Sequence, residues 1–238
     1  MRLFAIGDLH LPGGDDKPMD VFGPQWERHF ERISEDWRAR VAPEDTVLIP
    51  GDISWAMQLR DALPDLEAID ALPGRKVLIK GNHDYWWNTI TQVRAHLPQG
   101  MQALQHDAAL TEDAVICGTR GWLIPTGDAP LSPEDEKITC REVMRLEMSI
   151  QAALRLNAQR PLVVMLHFPP LYAQERDTPF TRLLEKYPVH TVVYGHLHGA
   201  GIPAGFHGEW HGIRYQLVSC DALSFRLAEV PLEPTSVC

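Results

Sequence analysis

The sequence predicts an α/β fold, and three observations carry that prediction. Five short apolar runs, at 2–6, 46–50, 76–80, 161–166 and 190–194, are continuous rather than alternating, as in strands covered on both faces. Stretches with three- and four-residue apolar spacing lie between them, at about 25–40, 58–72, 86–96 and 134–157. Strand and helix signals therefore alternate, which is the order of strands joined by helical crossovers.

The first run ends at Gly7, and the segment 11–24, rich in Gly, Pro and Asp, reads as a loop leaving that strand. Trp26, His29, Phe30, Ile33 and Trp37 give the first helix its buried face. A strand at 114–118 precedes the GTRGW segment. Ser132-Pro133-Glu134-Asp135-Glu136 opens the longest helix, with Pro pre-set for the first turn and acidic residues favoured by the helix dipole. After Gly199 the helix signal fades, and pieces at 213–219 and 223–230 read as closing antiparallel strands.

With 238 residues and no linker or repeat, the expectation is one domain, 1–238. Hydrophobic residues at 45% and charged residues at 23% exclude a disordered or fibrous chain. The net charge of −10 argues against long nucleic acid and anionic membranes as partners, and towards a small phosphorylated one. Cys117, Cys140, Cys220 and Cys238 are widely spaced, so neither a thiolate zinc site nor a redox pair is expected. The start MRLFAIGDLH is unlike a signal peptide, and no run approaches the roughly 20 apolar residues of a membrane span. A cytoplasmic protein is expected. The oligomeric state has no sequence signal.

Potential metal ligands follow the strands directly. Gly7-Asp8-Leu9-His10, Gly51-Asp52, Gly81-Asn82-His83-Asp84, His167 and Gly195-His196-Leu197-His198 each stand at a strand exit, and strand ends on one sheet edge converge. Each fragment alone is ordinary, since Asp, Asn and Gly are turn residues. Together they take five of the eleven histidines, and they occur in the order D-x-H, GD, GNHD, H, GHxH.

That ordered set resembles the signature of calcineurin-like metallophosphoesterases. Within it, GDISWAM and GNHDYWW resemble bacterial predicted phosphohydrolases. Leu166 stands where many relatives have glycine before this histidine, which extends the strand and leaves the ligand intact. The resemblance implies a four-layer α/β/β/α sandwich with two mixed β-sheets. It implies that Asp8, His10 and His198 hold one divalent metal ion, that Asn82, His167 and His196 hold another, and that Asp52 bridges the two. It also implies that His83 approaches the substrate as acid or transition-state donor, with Asp84 orienting it. Mn²⁺ is the ion the resemblance favours.

Chemistry supports the same reading. A phosphate ester carries negative oxygens that repel a nucleophile, so hydrolysis calls for concentrated positive charge and a pre-formed hydroxide. Two divalent ions about 3.5–4 Å apart supply both. Imidazole, carboxylate and amide donors without thiolate suit Mn²⁺, Fe or Zn²⁺. Trp55 and Tyr85 adjoin the metal motifs and are candidate walls for a leaving group, as are Trp86 and Trp87, although core packing accounts equally for them. Arg120, in GTRGW, is a candidate phosphate clamp, and Lys17 in the 11–24 loop is another. A small phosphodiester or nucleotide-like ester fits these residues. A nuclease is disfavoured by the acidic charge. A non-catalytic scaffold, a role taken by a retromer subunit of this fold, has no need of His83 beside a full ligand set.

Overall fold

A computed structural model describes residues 1–14, 19–126 and 130–232. Two sheets form. The first orders as β11 (Ala228–Glu229), β1 (Leu3–Ala5), β2 (Thr46–Ile49), β3 (Arg75–Leu78) and β4 (Met101–Ala103), parallel except for β11. The second orders as β5 (Ala108–Leu110), β6 (Val115–Thr119), β7 (Leu162–Leu166), β8 (Val189–Tyr194), β10 (Ile213–Leu217) and β9 (Gly208–Trp210). Its four central strands are parallel and its two edge strands antiparallel.

Side-chain alternation sorts each strand between two cores. Leu3, Ala5, Leu48, Val77, Ile116, Val163 and Val193 meet between the sheets. Phe4, Ile6, Val47 and Ile49 face outward and are covered by α1 (His29–Arg40) and α2 (Leu59–Asp70), with Trp86, Trp87 and α3 (Ile90–His96) completing the layer. Val115, Val164 and Val192 face the opposite way, under α4 (Pro133–Leu156) and α5 (Pro179–Leu184). The result is the four-layer α/β/β/α sandwich with two mixed sheets. Continuous apolar strands follow directly, because both faces of each sheet are covered.

Two expectations change. The strand at 213–219 forms, but it runs parallel to β8 rather than antiparallel, while 223–230 is mostly turn and contributes only the two residues of β11. The helix expected from 86 begins at Ile90, because Trp86 and Trp87 fold inward on the Asp84 turn. Ser132 caps α4 as the sequence suggests, accepting from Asp135 N at 3.1 Å. Among the described residues no helix is long and apolar enough to cross a membrane.

Candidate metal centre and active site

The parallel strands of both sheets end at one edge, and their exits carry the site. Beta1 leads to Asp8 and His10, β2 to Asp52, β3 to Asn82 and His83, β7 to His167, and β8 to His196 and His198. Asp8, His10, Asp52 and His196 have φ of 60°, 46°, 51° and 72°. Left-handed backbone costs about 1–2 kcal/mol per residue, although Asp and His tolerate it better than most. Four such residues in one site require rigid support. A ladder between the first two exits supplies it: Asp8 N donates to Gly51 O (3.0 Å), His10 N to Asp52 O (3.0 Å) and Leu11 N to Ile53 O (2.9 Å).

Two clusters of candidate ligands converge, Asp8 with His10 and His198, and Asp8 with Asp52 and His167, and Asn82 and His196 adjoin the second. In the first, Asp8, His10 and His198 draw together, with His198 Nε2 3.4 Å from Asp8 Oδ1 and 3.4 Å from His10 Nε2. In the second, His167 Nε2 lies 2.6 Å from Asn82 Oδ1, and His196 Nδ1 lies 3.0 Å from the same oxygen. Asp52 stands between the groups, its Oδ2 3.8 Å from His10 Nε2 and 3.5 Å from His167 Nε2. The carboxylates need close backbone approach. A Cβ on Gly81 would fall 2.1 Å from Asp52 Oδ1, and one on Gly195 would fall 2.3 Å from Asp8 Oδ2. Glycine at these two exits follows from that crowding.

The electrostatics are those of a cation site. Asp8, Asp52 and Asp84 are all buried. Burial, then the charges of Asp84 and Asp8, push the Asp52 carboxyl up to about 9. Burial lowers His10 to about 3, and burial followed by the His167 charge lowers His196 to about 4, so both imidazoles favour the neutral, metal-ligating form. His198 differs: burial opposes its charge, but its hydrogen bonds to Asp221 and Asp8 raise it to about 10. The fit to divalent cations is clear from the protein's own groups. Mutually repelling buried carboxylates face converging imidazole nitrogens, with no thiolate in the set.

Supporting residues fix the ligands. His167 Nδ1 is bonded to Pro50 O at 3.0 Å, which leaves Nε2 to face Asn82 and Asp52. Asp221, which has no sequence signal as an isolated Asp in a turn, takes His198 Nδ1 at 2.9 Å with one oxygen and Gly199 N at 2.9 Å with the other. This is the carboxylate–histidine arrangement that orients metal-binding imidazoles. Among the described residues His10 has no such partner, and its Nδ1 is buried without one.

The role expected of Asp84 is revised. Its carboxylate accepts from the backbone N of Asp52 (2.9 Å), Ile53 (2.8 Å), Ser54 (3.2 Å) and Gly81 (2.8 Å), and from Trp86 Nε1 (3.0 Å). It makes no hydrogen bond with the His83 ring among the described residues. Asp84 instead clamps the Asp52 and Asn82 exits together, because their turn N–H groups have no strand partner. Its effect on His83 passes through the backbone. The His83 N donates to Asp52 Oδ1 at 2.8 Å, and its ring borders the site. Burial, reinforced by the His167 charge, lowers the His83 pKa.

A cavity of about 280 Å³ opens over the ligands, lined by His10, Asp52, His83, His196, His198 and Asp221 and walled by Met19, Phe22, Trp26 and Trp55. Trp55 stacks on His10, with ring centroids 4.7 Å apart and planes at 19°. Sequence reasoning missed Met19, Phe22 and Trp26, which two short 3-10 turns (Met19–Phe22 and Pro24–Trp26) bring over the metal motifs. Tyr85 sits beside His83, 6.1 Å between ring centroids, but is half exposed and does not line the cavity. Trp86 and Trp87 belong to the core. Arg120 lies over Trp122 and lines a separate cavity, so the structure does not bring it to this one. Lys17 falls outside the described residues. His211 is engaged by Glu185 at 2.9 Å and is not among the lining residues.

Comparison with known proteins bears on the family and the fold. The family model described as calcineurin-like phosphoesterase matches residues 1–200. The chain belongs to that family. The phosphoesterase also shares its fold with a phosphopantetheinyl hydrolase from Mycobacterium tuberculosis, at 16% identity over 100% of this chain and 98% of that one, with a TM-score of 0.57. A protein of unknown function from Aquifex aeolicus, AQ665, aligns at 15% identity over 96% of this chain and 95% of that one, with a TM-score of 0.46. No curated protein matches the sequence. Family and ligand clusters together identify a metal-dependent phosphoesterase.

Proposed function

We propose that this phosphoesterase hydrolyses a small organic phosphodiester or nucleotide-like ester at a dinuclear centre. Asp8, His10 and His198 hold one divalent ion, Asn82, His167 and His196 the other, and Asp52 is common to both. Mn²⁺ suits this donor set, with Fe or Zn²⁺ as alternatives. The observation that carries the reading is the position of Asp52, within 3.8 Å of one imidazole set and 3.5 Å of the other. When bound, such ions polarise the phosphoryl group and lower the pKa of water.

The side chains account for the rest. Neither ring nitrogen of His83 is engaged in a hydrogen bond among the described residues, so the ring is available to donate to the leaving oxygen or to a phosphoryl oxygen. Met19, Phe22, Trp26 and Trp55 offer an apolar wall on which a base or aryl group can rest. Among the described residues, none that lines this cavity is Lys or Arg, which suits a single ester phosphate better than a polyanion. The buried free thiols Cys117 and Cys220 are in keeping with a cytoplasmic setting.

The test is a comparison of kcat/KM for a monoester, cyclic and linear nucleotide diesters, a phosphopeptide and single-stranded DNA. A small diester is expected to rank first. Trp55→Ala is expected to lower its kcat/KM by about tenfold, within the roughly 1–3 kcal/mol of a lost stacking contact. A highest value for DNA or the phosphopeptide, or parental kinetics for Trp55→Ala on every small substrate, rules out this substrate class.

A further inference from the structure

A second cavity, of about 170 Å³, shares no lining residue with the one over the metal ligands. Lys80, His106, Thr119, Arg120, Glu142 and Arg145 contribute to its wall. Three basic side chains thus meet one carboxylate, in a chain whose net charge is −10. A recess in which cations outnumber carboxylates draws counter-ions to it.

The carboxylate is already committed. Glu142 is buried and accepts from Thr119 Oγ1 at 2.6 Å and from Arg145 at 2.6 Å. Lys80 gives one hydrogen bond, to Trp87 O at 2.7 Å, of the three its ammonium can make. The Arg120 guanidinium lies 4.5 Å over the Trp122 ring and donates to no acceptor among the described residues. Half-buried charged donors without an acceptor are costly, and an anion relieves that cost.

The cavity is anchored to the same strand exits as the metal centre. Lys80 precedes Gly81 and Asn82, and Arg120 O accepts from His167 N at 3.1 Å and from Phe168 N at 2.9 Å. At about 170 Å³ the recess is smaller than the 280 Å³ cavity over the metal ligands and suits a compact group such as a phosphate. A guanidinium fork with an ammonium beside it is the donor geometry for such a group.

We infer that Lys80, Arg120 and Arg145 form a second phosphate-binding site, separate from the metal centre, that takes inorganic phosphate or a second phosphate carried by the substrate. The inference does not depend on the substrate class proposed above. Calorimetric titration of the metal-loaded enzyme with inorganic phosphate is expected to give two bound phosphates per chain. Arg120→Gln, and independently Lys80→Gln should the first variant fold poorly, is expected to weaken one of them by about tenfold or more, the loss of a charge-assisted hydrogen bond. Steady-state KM for Arg120→Gln then separates the sources. A rise confined to a bisphosphorylated ester identifies the substrate's second phosphate, and unchanged KM on mono- and bisphosphorylated esters identifies free phosphate. One phosphate per chain in the parent, two with unaltered affinity in both variants, or an equal rise in KM on both esters would overturn the site.

Discussion

Asp52→Asn is expected to weaken binding of both metal ions and to reduce turnover more than replacement of any single terminal ligand. The amide keeps the shape of the carboxylate and an oxygen to accept from His83 N, now bonded to Asp52 Oδ1 at 2.8 Å. It removes the negative charge between the two imidazole sets, and both cations lose compensation at once. A terminal ligand such as His10 touches one set only. Metal analysis of the purified variant, with turnover measured in parallel, checks this. Two tightly held ions together with near-parental turnover would show that Asp52 is not shared.

The second large effect belongs to His83. His83→Ala is expected to retain both ions and to lose catalysis by roughly 10²–10⁴-fold, the usual contribution of a positioned acid or transition-state donor. Successive residues divide the work: the Asn82 amide turns to His167 and His196, while the His83 ring lies against Trp55 (4.7 Å between centroids) at the cavity wall. Esters with very good leaving groups should regain part of the rate if His83 protonates the leaving oxygen. Equal losses on good and poor leaving groups assign it instead to the phosphoryl oxygens. Loss of metal from the variant would contradict either role. Asp84 is unsuited to the same experiment, because a buried N–H left unpaired costs about 1–3 kcal/mol and its carboxylate serves four of them.

Much of this site is legible in the sequence because five of the candidate ligands stand one or two residues past an apolar run, and parallel strands deliver their ends to one edge. Asp8, Asp52, Asn82, His167 and His196 are found this way. The two covered sheets follow from the same strands. What escapes is set by tertiary contact. Strands β4, β5 and β9 have three residues each, and α5 has six, too few for a periodic pattern. The parallel pairing of β10 depends on its approach to β8, not on its own composition. Asp221 has no motif and is recognisable only from its bonds to His198 and Gly199. Arg120 leaves a strand at the same edge as the ligands, yet stacking on Trp122 holds it at a different cavity.

The central claim is that two ligand sets sharing Asp52 make a dinuclear catalytic centre. Native mass spectrometry of the chain titrated with Mn²⁺, with hydrolysis of a p-nitrophenyl diester followed on the same samples, tests it most directly. The account predicts that the chain takes up two ions and that turnover rises with occupancy of the second. Full turnover with one ion per chain, or turnover that survives complete removal of metal by a chelator, would contradict it.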